Sequence, residues 1–284
     1  MSLISDLPAW LENFRPDDEL YADAYEGTPA ELRALLKTAI AFAFHRWKRD
    51  GGEYVLENRS AREGFIRTEH VRPAAWVMAV TAEGFASPAR FLAALVPAVI
   101  AGTGRIAVIS PTPFAPAVST ALELAGLEDS FVLDENRLAA LYNDLHDASP
   151  DGRIVVFPDG RNGLSPGQKA LLHTAAADGV PLYRDRPSPR LLTRYGDDDA
   201  SAVPGTPSSE EIRKRLLWLH PDAEILSEGL PDALYLPNNV PSSPAVCKVP
   251  FTAGPGMEGC WPGPTPAFFQ SSTFSAFLVQ ENQS

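Results

Sequence analysis

Apolar residues along this chain come in two kinds of run, and the two kinds alternate. AAWVMAV (74–80), RIAVIS (105–110), FVLD (131–134), RIVVFP (153–158) and VPLY (180–183) are short and nearly continuous. That is the pattern of strands buried on both faces. Between them, Ser87–Ala101, Ala115–Ala125, Glu135–Leu145 and Pro166–Ala177 read as helices, and Gly126 and Gly179 mark two of the ends. Strands alternating with helices predict parallel pairing through right-handed crossovers. The expected core over 71–183 is therefore a doubly wound, mostly parallel α/β sheet.

The flanks read differently. The first fifty residues look helical. Thr28-Pro29-Ala30-Glu31 predicts a helix start with a Thr cap, Pro at the first helical position and Glu three residues after the cap. This helix runs through LRALLKTAIAFAFHRWKRD to Gly51-Gly52, and 1–70 is expected to form a helical segment packed on the core. Residues 184–210 are polar and rich in Pro, Asp and Ser, and predict a long connection. Ser208-Ser209-Glu210-Glu211 then starts a helix, EEIRKRLLWLH, and AEIL (223–226) and DALYLP (232–237) read as strands. From Pro241 the chain reads as mostly irregular, with FSAFLV a short helix or strand, so that 211–284 completes the domain.

Charge narrows the classes of function. With 24 Lys and Arg against 36 Asp and Glu, the net charge is -12. Such a surface repels phosphate backbones, so nucleic acid is not an expected partner. The most apolar window, Phe91–Ala101, is broken by Pro97 and is too short to span a bilayer, and the N-terminus lacks a secretory pattern. A cytoplasmic protein with no membrane partner is expected. Cys247 and Cys260 lack metal-pair spacing, and none of the five histidines lies in a metal motif, so no metal site is expected. His220 reads as a helix C-terminal residue favoured by the dipole.

In open α/β sheets ligands bind at the carboxyl ends of the strands. That rule selects the turns after 80, 110, 134 and 158. Their candidate small-molecule-binding residues are Glu83, Gly84, Ser110, Thr112, Asp134, Asp159, Gly160 and Arg161. The turns at Gly84 and Gly160 could offer backbone N–H groups to an anion; equally, the two glycines simply make tight turns. No GxxxxGK[ST] occurs. Cys260, in GPGMEGCWPGP, is a candidate nucleophile, against the plainer reading of a half-buried, unreactive thiol. Arg184, Arg186, Arg190 and Arg194 either gather an anion, or are solvated on a polar linker, or offset Asp197-Asp198-Asp199.

The stretch AEGFASPARFLAALVPAVIAGTGRIAVISP (82–111) resembles the histidinol dehydrogenase family, within the aldehyde-dehydrogenase-like superfamily. That family has a GGxAxxP-type loop, a helix with an internal IPAxxAG and a strand ending in a TPP-like turn. The counterparts are Gly84, Ala86 and Pro88, Val96–Gly102, and Ile109-Ser110-Pro111. Near the end, Pro262, Gly263, Thr265, Phe268, Ser271 and Phe277 resemble the family's closing run. The resemblance covers a little under half of the chain. It implies a Rossmann-like fold, NAD as the candidate cofactor, and a homodimer whose C-terminal segments pack on the partner.

The departures imply lost chemistry. No QAEH occurs, Val249-Pro250-Phe251 stands at the family's GDY, and Pro221 and Asp222 stand where its Glu-His pair would be. A metal-bearing insertion would fall between about 163 and 208 and is missing. Zinc is therefore not expected, and Glu83 replaces one family glycine where a pyrophosphate would approach. The expected function is a histidinol-dehydrogenase-like protein without the zinc-dependent reaction, retaining a small-molecule or nucleotide cleft at the strand carboxyl ends. Two alternatives stand beside it. One is an active NAD(P)-dependent aldehyde-type dehydrogenase using Cys260, since FTAGPGMEGC loosely resembles that superfamily's FxxxGQxC. The other is a non-catalytic interaction protein.

Overall fold

The computed structural model describes residues 6–48, 51–60, 65–160, 163–186, 188–193, 207–226, 231–235 and 251–278. Its centre is a parallel sheet of β3 (Trp76–Thr81), β4 (Arg105–Ser110), β5 (Ser130–Val132), β6 (Gly152–Phe157) and β7 (Leu182–Arg184), in the order β5-β4-β3-β6-β7. The continuous apolar runs are explained by burial on both faces. On β3, Val77 and Ala79 point into one core with α2 (Ala30–Trp47), α3 (Pro88–Ala101) and α4 (Pro116–Ala125). Trp76, Met78 and Val80 point into the other, with α5 (Leu138–Ala148) and α6 (Pro166–Ala177). Alternation on a strand thus becomes two cores rather than an inside and an outside.

α3 is apolar almost all round because it is buried almost all round. Ser87 caps its start, Pro88 occupies the first turn, where no amide donor is missed, and Gly102 ends it in the left-handed region. The capping expected of Thr28 is not what forms. Pro29 stands at the cap position of α2 without a side-chain bond. The Thr28 hydroxyl instead turns back to Ala24 O of α1 (Asp18–Gly27) at 2.8 Å, and pairs with Thr120 at 2.9 Å. The α7 start is as expected: Ser208 and Glu211 form a reciprocal capping box on α7 (Ser209–Leu219).

Two features lie outside the expected organisation. The 184–210 segment contains β8 (Arg190–Thr193), which is central to a second parallel sheet, in the order β11-β10-β8-β9. Its other strands are β9 (Glu224–Leu226), β10 (Ala233–Tyr235) and β11 (Phe251–Ala253), and α7 packs on it through Ile212 and Leu216. The N-terminal segment is helical only as far as α2. β1 (Tyr54–Ser60) and β2 (Phe65–Pro73) follow, pairing antiparallel with each other, and β2 pairs antiparallel on its other side with β12 (Gln270–Leu278). Residues 274–278 of the FSAFLV run therefore lie in this ribbon as strand, and Val279 lies outside the described residues. Buried Arg153 ties the ribbon to the core, donating to Phe268 O at 2.6 Å and Gln270 O at 2.5 Å.

At the start of β6 the chain passes against the buried Trp76 indole, whose Nε1 donates to Ser149 O at 2.7 Å. A Cβ at Gly152 would come within 2.1 Å of that ring. Gly152→Ala is expected to destabilise the protein by about 1–3 kcal/mol through overpacking, read as a lower urea midpoint at unchanged slope. An unchanged midpoint would contradict this packing.

Candidate functional site

The order β5-β4-β3-β6-β7 places the topological switch between β3 and β6, where connections leave in opposite directions. A ligand crevice is expected at the carboxyl ends of these two strands. The β3 turn brings Glu83 and Gly84 to its exposed rim, with Gly84 at φ +72°. The β6 turn closes as a small antiparallel bridge, Asp159 and Gly163 exchanging N–H···O bonds of 2.9 and 3.0 Å. Arg161 lies outside the described residues.

The second sheet docks into this crevice. Ser188 Oγ donates to Gly160 O at 2.6 Å, and a Cβ at Gly160 would approach Asp222 and Ser188 to 3.0 Å. The chain crosses between the sheets just here, from the end of β7 at Arg184 to the start of β8 at Arg190. Ser188 sits in the left-handed region at φ 47°, held by its N–H to Asp222 Oδ2 at 3.3 Å. That conformation costs a non-glycine residue about 1–2 kcal/mol, so the docking contacts must offset it.

Arg90, in the first turn of α3, is 1% exposed and fills the junction. Its Nη1 donates to Arg186 O at 2.5 Å and lies 3.3 Å from Asp185 Oδ2; its Nη2 meets Asp222 Oδ2 at 2.7 Å. Phe85 packs under the guanidinium at 5.2 Å. Arg186 and Arg190 close on Asp232 from the other side, so these two of the four expected arginines form ion pairs. Ser87 Oγ donates to Leu219 O at 2.7 Å and lies 3.3 Å from His220 Nδ1. With that hydroxyl hydrogen committed, the network assigns the imidazole proton to Nδ1. Nε2 is left as a buried acceptor without a partner among the described residues.

Electrostatics follow from this burial. Desolvation, helped by Arg90, pushes His220 down to about 3. His220 does end α7, but the dipole expected to favour its charged form loses to these two effects. Desolvation pushes Asp185 up to about 6, against the pull of Arg90.

The other expected residues disperse. Ser110 is buried at the end of β4, and Thr112 is half-buried beyond it. Asp134 is exposed and caps its own turn, accepting from Asn136 N at 2.8 Å. Its neighbour Glu135 accepts from Gly167 N at 3.2 Å, so a carboxylate of this chain already sits at the start of α6. Cys260 lies away from the strand ends, on a separate cavity of about 170 Å³ with Leu92, Pro97 and Arg46. Burial, with Glu258 adding to it, pushes its thiol up to about 12. It is a protonated thiol at neutral pH, not a thiolate.

Sequence reasoning passed over Ser87, Arg90 and Asp185 and did not join them to His220 and Asp222. A signal existed for one: Arg90 is the lone charge in SPARFLAALVP, a helix otherwise apolar on every face.

No family model and no curated protein matches the sequence. Among solved structures, histidinol dehydrogenase from Elizabethkingia anophelis is similar in fold, with a TM-score of 0.55 at 11% identity, covering 95% of this chain and 78% of that one. Aldehyde dehydrogenase from Brucella melitensis biovar abortus 2308 matches with a TM-score of 0.37 at 13% identity, covering 77% of this chain and 45% of that one. Succinate-semialdehyde dehydrogenase from Burkholderia pseudomallei matches with a TM-score of 0.36 at 11% identity, over 77% of this chain and 45% of that one. The fold is thus the dehydrogenase-like α/β fold that the resemblance implied.

The two shifted groups have opposite pH signatures. Asp185, folded value about 6 against an ordinary 3.8, binds its proton more tightly in the folded state, so it withdraws stability as pH rises from 3.8 to 6. His220, folded value about 3 against 6.5, resists protonation when folded, so it adds stability as pH rises from 3 to 6.5. The effects oppose one another in the overlap. Urea unfolding between about pH 4 and 6 should rise more steeply with pH in Asp185→Asn than in the parent, and fall with pH in His220→Gln. Each change in slope is up to about 1.4 kcal/mol per pH unit. Two variants with the parental profile would overturn both assignments.

Proposed function

We propose that this chain is a histidinol-dehydrogenase-like protein that does not carry out zinc-dependent dehydrogenation and acts as a non-catalytic homodimer. The observation that carries the reading is that the anion seats at the switch point hold the chain's own groups. Ser87 and Arg90 at the start of α3 are engaged by Leu219 O, Asp185 and Asp222, and the start of α6 holds the Glu135 carboxylate. A dinucleotide pyrophosphate would have to displace these contacts and approach the Glu83 carboxylate on the rim.

Zinc fits the residues no better. Among the described residues no group of three or more His, Cys, Asp and Glu side chains converges as a metal site. Where the resemblance sets the family's catalytic pair, Asp222 is bound to Arg90, and neighbouring His220 is buried and held neutral. A base for a hydroxyl proton must reach the substrate, and neither group is free to do so. The protonated Cys260 weighs against the aldehyde-type alternative.

Purified protein with histidinol, NAD and zinc is expected to produce no NADH above the protein-free rate, and NAD is expected to leave the melting temperature unchanged. Saturable NAD stabilisation would refute the filled-crevice reading, and zinc-dependent NADH production would refute the loss of activity.

The β1-β2-β12 ribbon supports the homodimer. Phe274 and Phe277, on opposite faces of β12, are 71% and 63% exposed, and Val55 and Leu56 are exposed on β1, across β2 from that strand. Apolar side chains exposed on both outer strands of the ribbon support an interface there. Phe274→Asp with Phe277→Asp is expected to convert a dimer to a monomer in sedimentation velocity. A parent that sediments as a monomer refutes the dimer.

A further inference from the structure

A groove of about 710 Å³ lies between α1 and α4, at the carboxyl ends of β4 and β5 and away from the filled crevice. Its size falls within the roughly 300–1,000 Å³ of small-molecule sites. Its walls are apolar and flat: Tyr21, Phe114 and Trp218, with Pro29, Pro113 and Pro116 between them.

Most polar groups around it are already satisfied. Tyr21 OH is bonded to Ser130 Oγ at 2.6 Å, and Thr28 pairs with Thr120 and Ala24 O. Ser119 is the exception. It lines the groove, is 5% exposed, and its hydroxyl makes no hydrogen bond among the described residues. It stands one turn inside α4, whose start has no side-chain cap. Ala115 O takes the N–H groups of Val118 and Ser119, and Pro116 has none to give, so the Ala117 N–H remains beside the groove.

These groups select a ligand class. A hydroxyl and a helix-start N–H together present donors to one acceptor oxygen. No Lys or Arg lines the groove, while Asp23 does, which disfavours a carboxylate. The helix start disfavours a cation. We propose that this groove binds a small, uncharged, flat apolar molecule whose carbonyl oxygen accepts hydrogen bonds from Ser119 Oγ–H and the first turn of α4. The site is independent of the filled crevice and of the loss of dehydrogenation.

The probe is Prodan, a neutral naphthyl ketone whose emission shifts to the blue in apolar surroundings. Titration is expected to give saturable one-to-one binding. Ser119→Ala, which removes the donor and adds no bulk, is expected to weaken binding roughly three- to tenfold. Ala24→Trp should abolish binding by filling the groove. Pro113→Trp, on the exposed rim, provides a second block should Ala24→Trp fail to fold, which its circular-dichroism melt reports. Lys169→Ala, exposed on α6 across the sheet from α4, is expected to leave affinity unchanged. 2-Naphthoate and 2-naphthylmethylamine are expected to bind at least about tenfold more weakly than the ketone. The proposal is overturned by no saturable binding, by binding that survives a folded blocking variant, by parental affinity in Ser119→Ala, by loss of binding in Lys169→Ala, or by a preference for either charged analogue.

Discussion

The arrangement of this molecule depends on one buried guanidinium. Arg90 is fixed in the first turn of α3, at the switch point of the first sheet, and its partners all belong to the chain leading into or lying within the second. Taking an ion out of water costs several kcal/mol, so Arg90 is tolerable there only if its partners are in place. Two carboxylates and a carbonyl supply them. The consequence runs both ways: the second sheet neutralises α3, and α3 orients the crossover on which the second sheet starts. Removing Arg90 would leave two carboxylates at the junction without their cation, the costly case of about 3–5 kcal/mol.

The charge count around Arg90 explains the unequal behaviour of its carboxylates. One cation cannot fully neutralise both Asp185 and Asp222. Asp185 is the more buried of the two and carries the repulsion from Asp222 as well as its own desolvation. Asp222 keeps the shorter contact to Arg90 and also receives the Ser188 N–H. His220 responds to the same cation with the opposite shift, since Arg90 and burial both penalise an imidazolium. Burial is the larger cause of both shifts, and the one cation modulates them in two segments far apart in sequence, opposing the rise of Asp185 and adding to the fall of His220.

How much of this was legible depended on how each segment is buried. The first-sheet strands announce themselves because burial on both faces leaves continuous apolar runs, and Ser208 with Glu211 announces α7 by reciprocal capping. β1 and β2 did not, because Tyr54–Ser60 and Phe65–Pro73 stand in a ribbon where polar and apolar residues are both exposed, so no burial period is written into them. β8 is only RLLT between arginines, and its strand character comes from pairing with β9 and β10 rather than from its own residues. The candidate site was half legible. The switch-point rule selected the turns at Gly84 and Gly160, but not what occupies them, because Asp185 and Asp222 reach Arg90 from 95 and more residues further along the chain.

That occupancy bears on the proposed loss of cofactor binding. In a ligand-binding α/β protein, the crevice at the strand ends is held open for something arriving from solvent. Here the same geometry is satisfied internally: a serine cap faces a helix C-terminal carbonyl, a carboxylate faces a helix start, and an arginine spans the gap. Each contact uses the directional group a bound ligand would have used, so the features that mark a binding site in sequence persist without one. Some groups stay unsatisfied at the junction, Arg90 Nε and His220 Nε2 among them, but they are buried. Unspent donors and uncovered apolar surface that a partner can reach lie instead on the flanks, at Ser119 beside α4 and at the aromatic side chains of the ribbon.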